Sequence, residues 1–214
     1  MILVLLGAPG SGKGTLAQAL QTQKVARQIS TGDLFRREIA AGTPLGKKIK
    51  EDLDAGKLMS DEETLALVAK EINDDVILDG YPRNLKQAGD LEDLLAKRNK
   101  KIDLVINLFA DEPTIVDRII NRVICSKCHA IFNTKYSPPR KTGTCDVCGG
   151  ELVHRKEDEA TTIARRIAIY EEKTKPLLKH YKQLCPMLEV DSRRENAIEY
   201  VKLHLAKLNL KSGQ

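Results

Sequence analysis

After Met1 come five apolar residues in a row, Ile2–Leu6, and short, largely apolar runs recur at 76–78, 104–109 (with Asn107) and 187–190 (with Glu189). A short run without polar alternation fits a strand buried on both faces. A weaker strand candidate lies at 25–29. Between these runs the apolar positions change period. Leu16, Ala17 and Leu20 sit at helical spacing after the first run. Leu34, Phe35 and Ile39 do the same after Ser30-Thr31-Gly32-Asp33, which reads as a helix start. Thr43-Pro44 opens a helix through Leu53, and Ser60-Asp61-Glu62-Glu63 opens another whose Leu65, Leu67, Val68 and Ile72 face inward. A polar helix spans 85–98, and Asp111 caps one that takes Pro113 in its first turn. A long helix reaches about Tyr181 with an interruption near Pro176, and a final one covers about 194–208. Strands alternating with helices predict an α/β fold on a doubly wound parallel sheet. The sequence shows no repeats and no low-complexity linker.

The segment between the first strand and the first helix carries chemistry. Gly7-Ala8-Pro9-Gly10-Ser11-Gly12-Lys13-Gly14-Thr15 is a glycine-rich loop in the strand–loop–helix setting that phosphate binding requires. Glycine lets the backbone turn tightly, so successive N–H groups converge on one anion. The helix that follows adds unpaired N–H donors and the positive end of its dipole. Lys13 supplies a full charge able to follow a phosphoryl group in transfer. The usual loop places Ser or Thr directly after the lysine as a Mg²⁺ ligand. Here Gly14 holds that place and Thr15 comes one later, so magnesium is expected to be held through waters and carboxylates elsewhere.

Composition narrows the class less than the motifs do. A chain of 214 residues suits one α/β domain with inserted subdomains. A net charge of +5 fits an anionic small molecule as well as nucleic acid and selects neither. Ile2–Leu6 is too short to span a bilayer and has no basic flank, so neither signal peptide nor membrane anchor is expected, and the cytoplasm is the default compartment. Cysteine usage says more. Cys125/Cys128 and Cys145/Cys148 form two CxxC pairs separated by 16 residues. That is the spacing of a four-thiolate zinc site, closed and therefore structural, rather than of a disulfide framework. The run from Cys125 to His129 also matches haem attachment, and a CxxC can serve redox chemistry; the second pair favours metal over both. Zinc ribbons often grip nucleic acid, which keeps that function open. The nearby Lys127, Lys135, Arg140 and Lys141 could equally offset thiolate charge. Cys185 reads as a packed thiol, and His154, His180 and His204 are isolated.

Two further constellations matter. Asp79 ends a buried apolar run, where a carboxylate is costly without a cation or donors. Beside a phosphate loop its expected role is to organise the waters of Mg²⁺ at the carboxyl edge of the sheet, with a turn-stabilising role as the alternative. Arg118 and Arg122 lie four apart, which places them on one helix face, and neither has an acid at i±3 or i±4; nor does Arg166. Unpaired guanidiniums facing one way point to an anion from outside. Arg36 is ambiguous, because Asp33 is a local partner.

Taken together, GAPGSGKGT (7–15), ISTGDLFR (29–36), DAGKL (54–58), LDGYPR (78–83) with Gln87, the Arg118/Arg122 segment, the cysteine module and HRKEDE leading to Arg166 resemble the adenylate kinase family over nearly the whole chain. The resemblance implies a P-loop core of residues 1–29, 60–121 and 160–214 with two mobile inserts, a monophosphate-binding segment at 30–59 and a zinc-binding lid at 122–159. Carried over by resemblance, Gly10, Ser11, Gly12, Lys13, Gly14, Thr15, Arg118 and Arg122 bind ATP. Thr31, Arg36, Leu58, Met59, Gly80, Arg83, Gln87, Arg155 and Arg166 bind AMP. Lys13, Arg83, Arg122, Arg155 and Arg166 carry the catalysis, Asp33 and Asp79 order the waters on Mg²⁺, and Cys125, Cys128, Cys145 and Cys148 hold zinc. The chain departs from the family at Tyr81 for Phe, at Asn121 and Val123 around Arg122, and at Ser192-Arg193 for Gly-Thr near the ATP base.

The activity implied is reversible, direct transfer of the γ-phosphoryl group of Mg·ATP to AMP, giving two ADP. No protein nucleophile is needed, since the task is to bring two anions into line while a closing lid keeps water out. A cytoplasmic monomer acting on ATP, AMP and ADP, with no nucleic acid or membrane partner, is the matching expectation. Two rivals stand: a kinase of UMP or CMP, against which Thr31 and Gln87 speak, and an NTP-binding protein whose zinc ribbon grips nucleic acid.

Overall fold

The structure is a computed structural model that describes residues 1–54, 57, 59–73 and 75–211. Its centre is a five-stranded, all-parallel sheet of β1 (Ile2–Leu6), β2 (Arg27–Ser30), β3 (Val76–Asp79), β4 (Leu104–Phe109) and, from the end of the chain, Met187–Asp191. The order across the sheet is β2-β3-β1-β4 and then that last strand. β1 therefore has β3 on one side and β4 on the other: the chain lays β2 and β3 on one side of it and then crosses to place β4 on the other. That switch point opens a crevice at the carboxyl ends of the strands, where sheets of this kind take ligands.

The apolar runs explain both layers. Side chains alternate across a strand, so Ile2, Val4 and Leu6 face one core with Leu34, Phe35, Leu67, Val68, Leu91, Leu177 and Tyr181. Leu3 and Leu5 face the other with Leu16, Leu20, Ile106, Val201 and Leu205. The helices that cover the sheet are α1 (Lys13–Thr22), α2 (Thr31–Ala40), α3 (Pro44–Asp54), α4 (Asp61–Glu71), α5 (Leu85–Ala96), α6 (Glu112–Ile120), α7 (Ala160–Ile169), α8 (Pro176–Leu184) and α9 (Ala197–Lys211). Ser30, Ser60, Asn84 and Asp111 cap four of them by accepting a backbone N–H from three residues on.

A three-stranded antiparallel sheet forms the inserted unit after α6: β5 (Arg122–Cys125) lies between β6 (Ile131–Asn133) and β7 (Leu152–Val153). The terminal strand Met187–Asp191 is accordingly β8. A 3₁₀ turn, Lys156–Asp158, leads back to the core.

Two sequence expectations are corrected and a third takes a definite form. The strand expected at 25–29 is β2, two residues later, because its register pairs Arg27 with Val76 and Ser30 with Asp79. The interruption expected near Pro176 is a wide π-helical turn, Tyr170–Thr174, where Lys175 N–H reaches back to the Tyr170 carbonyl at 2.8 Å. Pro176 has no N–H and its ring blocks the ordinary helical carbonyl, which accounts for the break. Arg118 and Arg122 do not share a helix face: α6 ends at Ile120, Asn121 leaves the helix, and Arg122 begins β5.

Candidate active site

The carboxyl ends of β1, β3 and β4 open onto a cleft of about 560 Å³, a size suited to small ligands. Gly12 precedes α1 with φ of 97°, a conformation that costs glycine little and other residues much. The Lys13 Nζ folds back to donate to the Gly7 and Ala8 carbonyls at 2.6 and 2.8 Å. Gly10, Gly12, Lys13, Gly14 and Thr15 line the cleft. Ser11 is fully buried, its Oγ without a hydrogen-bond partner among the described residues. A Cβ on Gly14 would lie 2.7 Å from Ile131 Cδ1 and 3.5 Å from Asp79 Oδ2. The bare backbone at this position thus makes room for β6, which comes down onto the loop.

Lys13, Arg36, Arg83, Arg118, Arg122, Arg155 and Arg166 all line the same cleft, together with Asp33 and Asp79. Asp79 ends β3 beside Leu5 of β1 and beside Ser30 of β2, and its Oδ2 accepts from Gln28 Nε2 at 2.9 Å. Asp33 Oδ1 accepts from Arg36 Nη2 at 2.6 Å. Desolvation, opposed by Asp79 and reinforced by Arg83, Arg166 and Arg122, pulls the Lys13 ammonium down to about 7. Burial, then neighbouring cations, likewise pulls Arg155 down to about 9, and burial with Arg166 pulls Arg83 to about 10. These directions measure positive charge crowded together in a low dielectric.

The arginines are not all unpaired, as local spacing implied. The Asp158 carboxylate accepts from Arg122 Nε at 2.7 Å and from its Nη2, and from Arg166 Nη1 at 2.6 Å. Arg36 Nη1 reaches Glu157 Oε1 at 3.4 Å. Arg118 is held differently, donating to Ser192 Oγ at 2.7 Å and to the Ser192 carbonyl at 2.9 Å. Ser192, a departure noted in the sequence, is thus a partner of Arg118.

A narrow second pocket lies beside the cleft, lined by Thr31, Phe35, Lys57, Met59, Thr64, Gly80, Arg83 and Gln87. Its free space is about 20 Å³, so an aromatic ring enters only if a wall shifts. The Gly80 carbonyl accepts from Thr31 Oγ1 at 3.0 Å and from Arg83 Nε at 2.8 Å. Leu58 lies outside the described residues.

The four cysteines of the inserted unit converge, with all Sγ atoms within 4.8 Å of one another. Cys125 and Cys148 sulfurs are 3.4 Å apart, Cys128 and Cys145 sulfurs 3.6 Å. A tetrahedron with Zn–S bonds of about 2.3 Å needs S···S of about 3.8 Å, so the donor set fits zinc with shifts of about an ångström or less. Backbone N–H groups of Lys127 and Cys128 point at Cys125 Sγ, and that of Val147 at Cys145 Sγ, as thiolate ligands require.

Residues 5–185 match the sequence profile of the family described as Adenylate kinase. The chain belongs to the adenylate kinase family. It is 40% identical over 200 residues to an adenylate kinase of Archaeoglobus fulgidus, covering 91% of this chain and 92% of that protein. Adenylate kinases of Fervidobacterium nodosum and a Geobacillus strain are each 42% identical over 199 and 200 residues, covering 91% of this chain and 91% and 93% of theirs. Two groups that line or brace this adenylate kinase cleft escape the sequence reading. Glu157 and Asp158 are the counter-ions of the arginine cage; their signal is the acidic run Glu157-Asp158-Glu159 that follows Arg155 and Lys156. Ile131, Phe132, Asn133 and Tyr136 of the inserted unit reach the cleft, and no local pattern marks them.

Proposed function

We propose that this chain transfers the γ-phosphoryl group of Mg·ATP reversibly and directly to the phosphate of AMP, giving two ADP. One observation carries the reading: among the described residues, nine cationic side chains line a single cleft against four acids. Phosphoryl transfer asks little more of a protein than positioning and neutralisation of charge. Lys13 and the loop N–H groups hold the triphosphate, joined by Arg118, which lies against the adenine of ATP, and by Arg122. Thr31, Arg36, Gly80, Arg83 and Gln87 hold AMP, with Leu58 and Met59 against its base. Arg155 and Arg166 bridge both phosphates. Asp33 and Asp79 suit magnesium bound through water, since a hard cation takes carboxylate and water oxygens; magnesium supplies charge neutralisation on the phosphates. Zinc in the four-cysteine site holds the 122–159 lid together, which has little apolar core of its own. That lid and the 30–59 segment close over the core of 1–29, 60–121 and 160–214 and keep water from accepting the phosphoryl group. The protein works as a cytoplasmic monomer on free nucleotides, without nucleic acid or membrane. No described helix is long and apolar enough to cross a membrane.

A coupled assay for ADP, run with ATP, magnesium and each of AMP, UMP, CMP and GMP, tests this. AMP is expected to be the best acceptor by far. A preference for UMP or CMP, or no ADP with any acceptor, overturns the reading.

A further inference from the structure

We infer that Asp61 sets which nucleobase the monophosphate site accepts, by fixing the polarity of the Gln87 amide. The inference rests on the reading above that Gln87 meets the base of AMP.

Gln87 is 2% exposed and its amide is held at both ends. Nε2 donates to Asp61 Oδ1 at 2.9 Å, and Oε1 accepts the backbone N–H of Arg83 at 2.7 Å. Neither neighbour can exchange roles: an ionised carboxylate only accepts and a backbone N–H only donates. Turning the amide over would set oxygen against carboxylate and N–H against N–H, replacing two hydrogen bonds with two repulsions. The amide therefore has one orientation, and after these bonds it retains one N–H and one carbonyl lone pair. That pair complements a base edge with an exocyclic amine donor beside a ring-nitrogen acceptor, which among the purines is adenine. Hypoxanthine, with a carbonyl acceptor beside a ring N–H, presents the reverse and meets donor with donor.

Asp61 does not line the pocket; it acts through Gln87 and is a positioning residue. It sits at the first position of α4, after the Ser60 cap, with its side chain 21% exposed and Lys86 Nζ 3.7 Å from Oδ2. Its Oδ1 also accepts from Asn84 Nδ2 at 2.9 Å, and Asn84 Oδ1 in turn takes the Gln87 backbone N–H at 2.8 Å. One carboxylate thus orients both the cap of α5 and the amide in its first turn.

The test compares AMP and IMP as acceptors for Mg·ATP. In Asp61→Asn the partner of Gln87 can donate or accept, so only the Arg83 N–H still opposes a turn of the amide. The AMP-over-IMP ratio of kcat/KM is expected to narrow by about tenfold, within what one base-reading pair discriminates, through KM for AMP rather than kcat. Asp61→Glu, still an acceptor only, keeps the wild-type ratio. Asn84→Ala removes both the capping oxygen and the donor to Asp61; it lowers the unfolding midpoint without moving the ratio. If Asp61→Asn fails to fold, Asp61→Ser, which also donates or accepts, takes its place. An unchanged ratio in these variants, while Gln87→Leu still raises KM for AMP, overturns the role of Asp61 alone. An unchanged KM for AMP in Gln87→Leu overturns the placement of the base.

Discussion

Replacing Asp158 by Asn keeps the shape of the side chain and removes the charge that ties Arg122 to Arg166. The carboxylate is 3% exposed and is gripped at 2.7 Å by Arg122 Nε and at 2.6 Å by Arg166 Nη1. An amide in its place sets an N–H against a guanidinium and leaves Arg122, Arg155, Arg166 and Lys13 to repel one another. Removing one partner of a buried ion pair costs about 3–5 kcal/mol. The two arginines are 14% and 20% exposed and keep some water, so the lower figure applies. At about 2–4 °C per kcal/mol for a chain of this size, the unfolding midpoint of the empty protein falls by about 6–12 °C. A polyphosphate brings back the missing negative charge. ATP or tripolyphosphate therefore raises the midpoint of the variant by more than that of the wild type in a calorimetric scan. The two proteins also converge in acid. Burial opposes ionisation of Asp158, but the hydrogen bond and charge of Arg122 outweigh it and hold the carboxyl below 3.8. Its contribution is fully present above that pH and disappears as pH falls further. A variant that unfolds at the wild-type temperature when empty, or that gains no more than wild type from polyphosphate, refutes the counter-ion reasoning.

Lys13 gives a prediction of opposite sign. Its ammonium sits at about 7 in the empty fold against 10.5 in a free chain. Between those values the unfolded chain holds a proton that the folded one lacks, so the empty protein gains stability as pH rises through that window. A bound triphosphate restores the charge, and ATP binding near pH 8.5 takes up protons. Titration calorimetry in two buffers of different ionisation enthalpy reads this uptake; Lys13→Met abolishes it, and buffer-independent heats in the wild type rule it out. Gly14→Ala adds a carbon 2.7 Å from Ile131 Cδ1, and overpacking of this kind costs about 1–3 kcal/mol, here borne by the contact of β6 with the loop. KM for ATP is expected to rise about tenfold, and Ile131→Val, which lacks the clashing atom, to bring it back; a variant with unchanged kinetics shows that β6 does not rest on the loop.

Much of the core was legible because parallel strands buried on both faces read as continuous apolar runs. Ile2–Leu6, Leu104–Phe109 and the glycine loop stand where the pattern puts them. The site was legible as charges but not as pairs. Spacing rules see partners three or four residues away, whereas Asp158 is 36 residues from Arg122 and Glu157 is 121 from Arg36. A spacing of four also assumes that the helix continues, and Asn121 ends it, because the segment from Arg122 finds strand partners in β6 and β7. The pairing missed in this way bears on function. A cage of cations with no internal anion would resist folding until its ligand arrived. The short turn Lys156–Asp158, next to Arg155, supplies that anion from within. The same carboxylates then compete with substrate phosphate for the arginines, so the counter-ions that stabilise the empty fold also limit how tightly nucleotide binds. A cleft built for turnover has to give its product back, and this competition lets it do so.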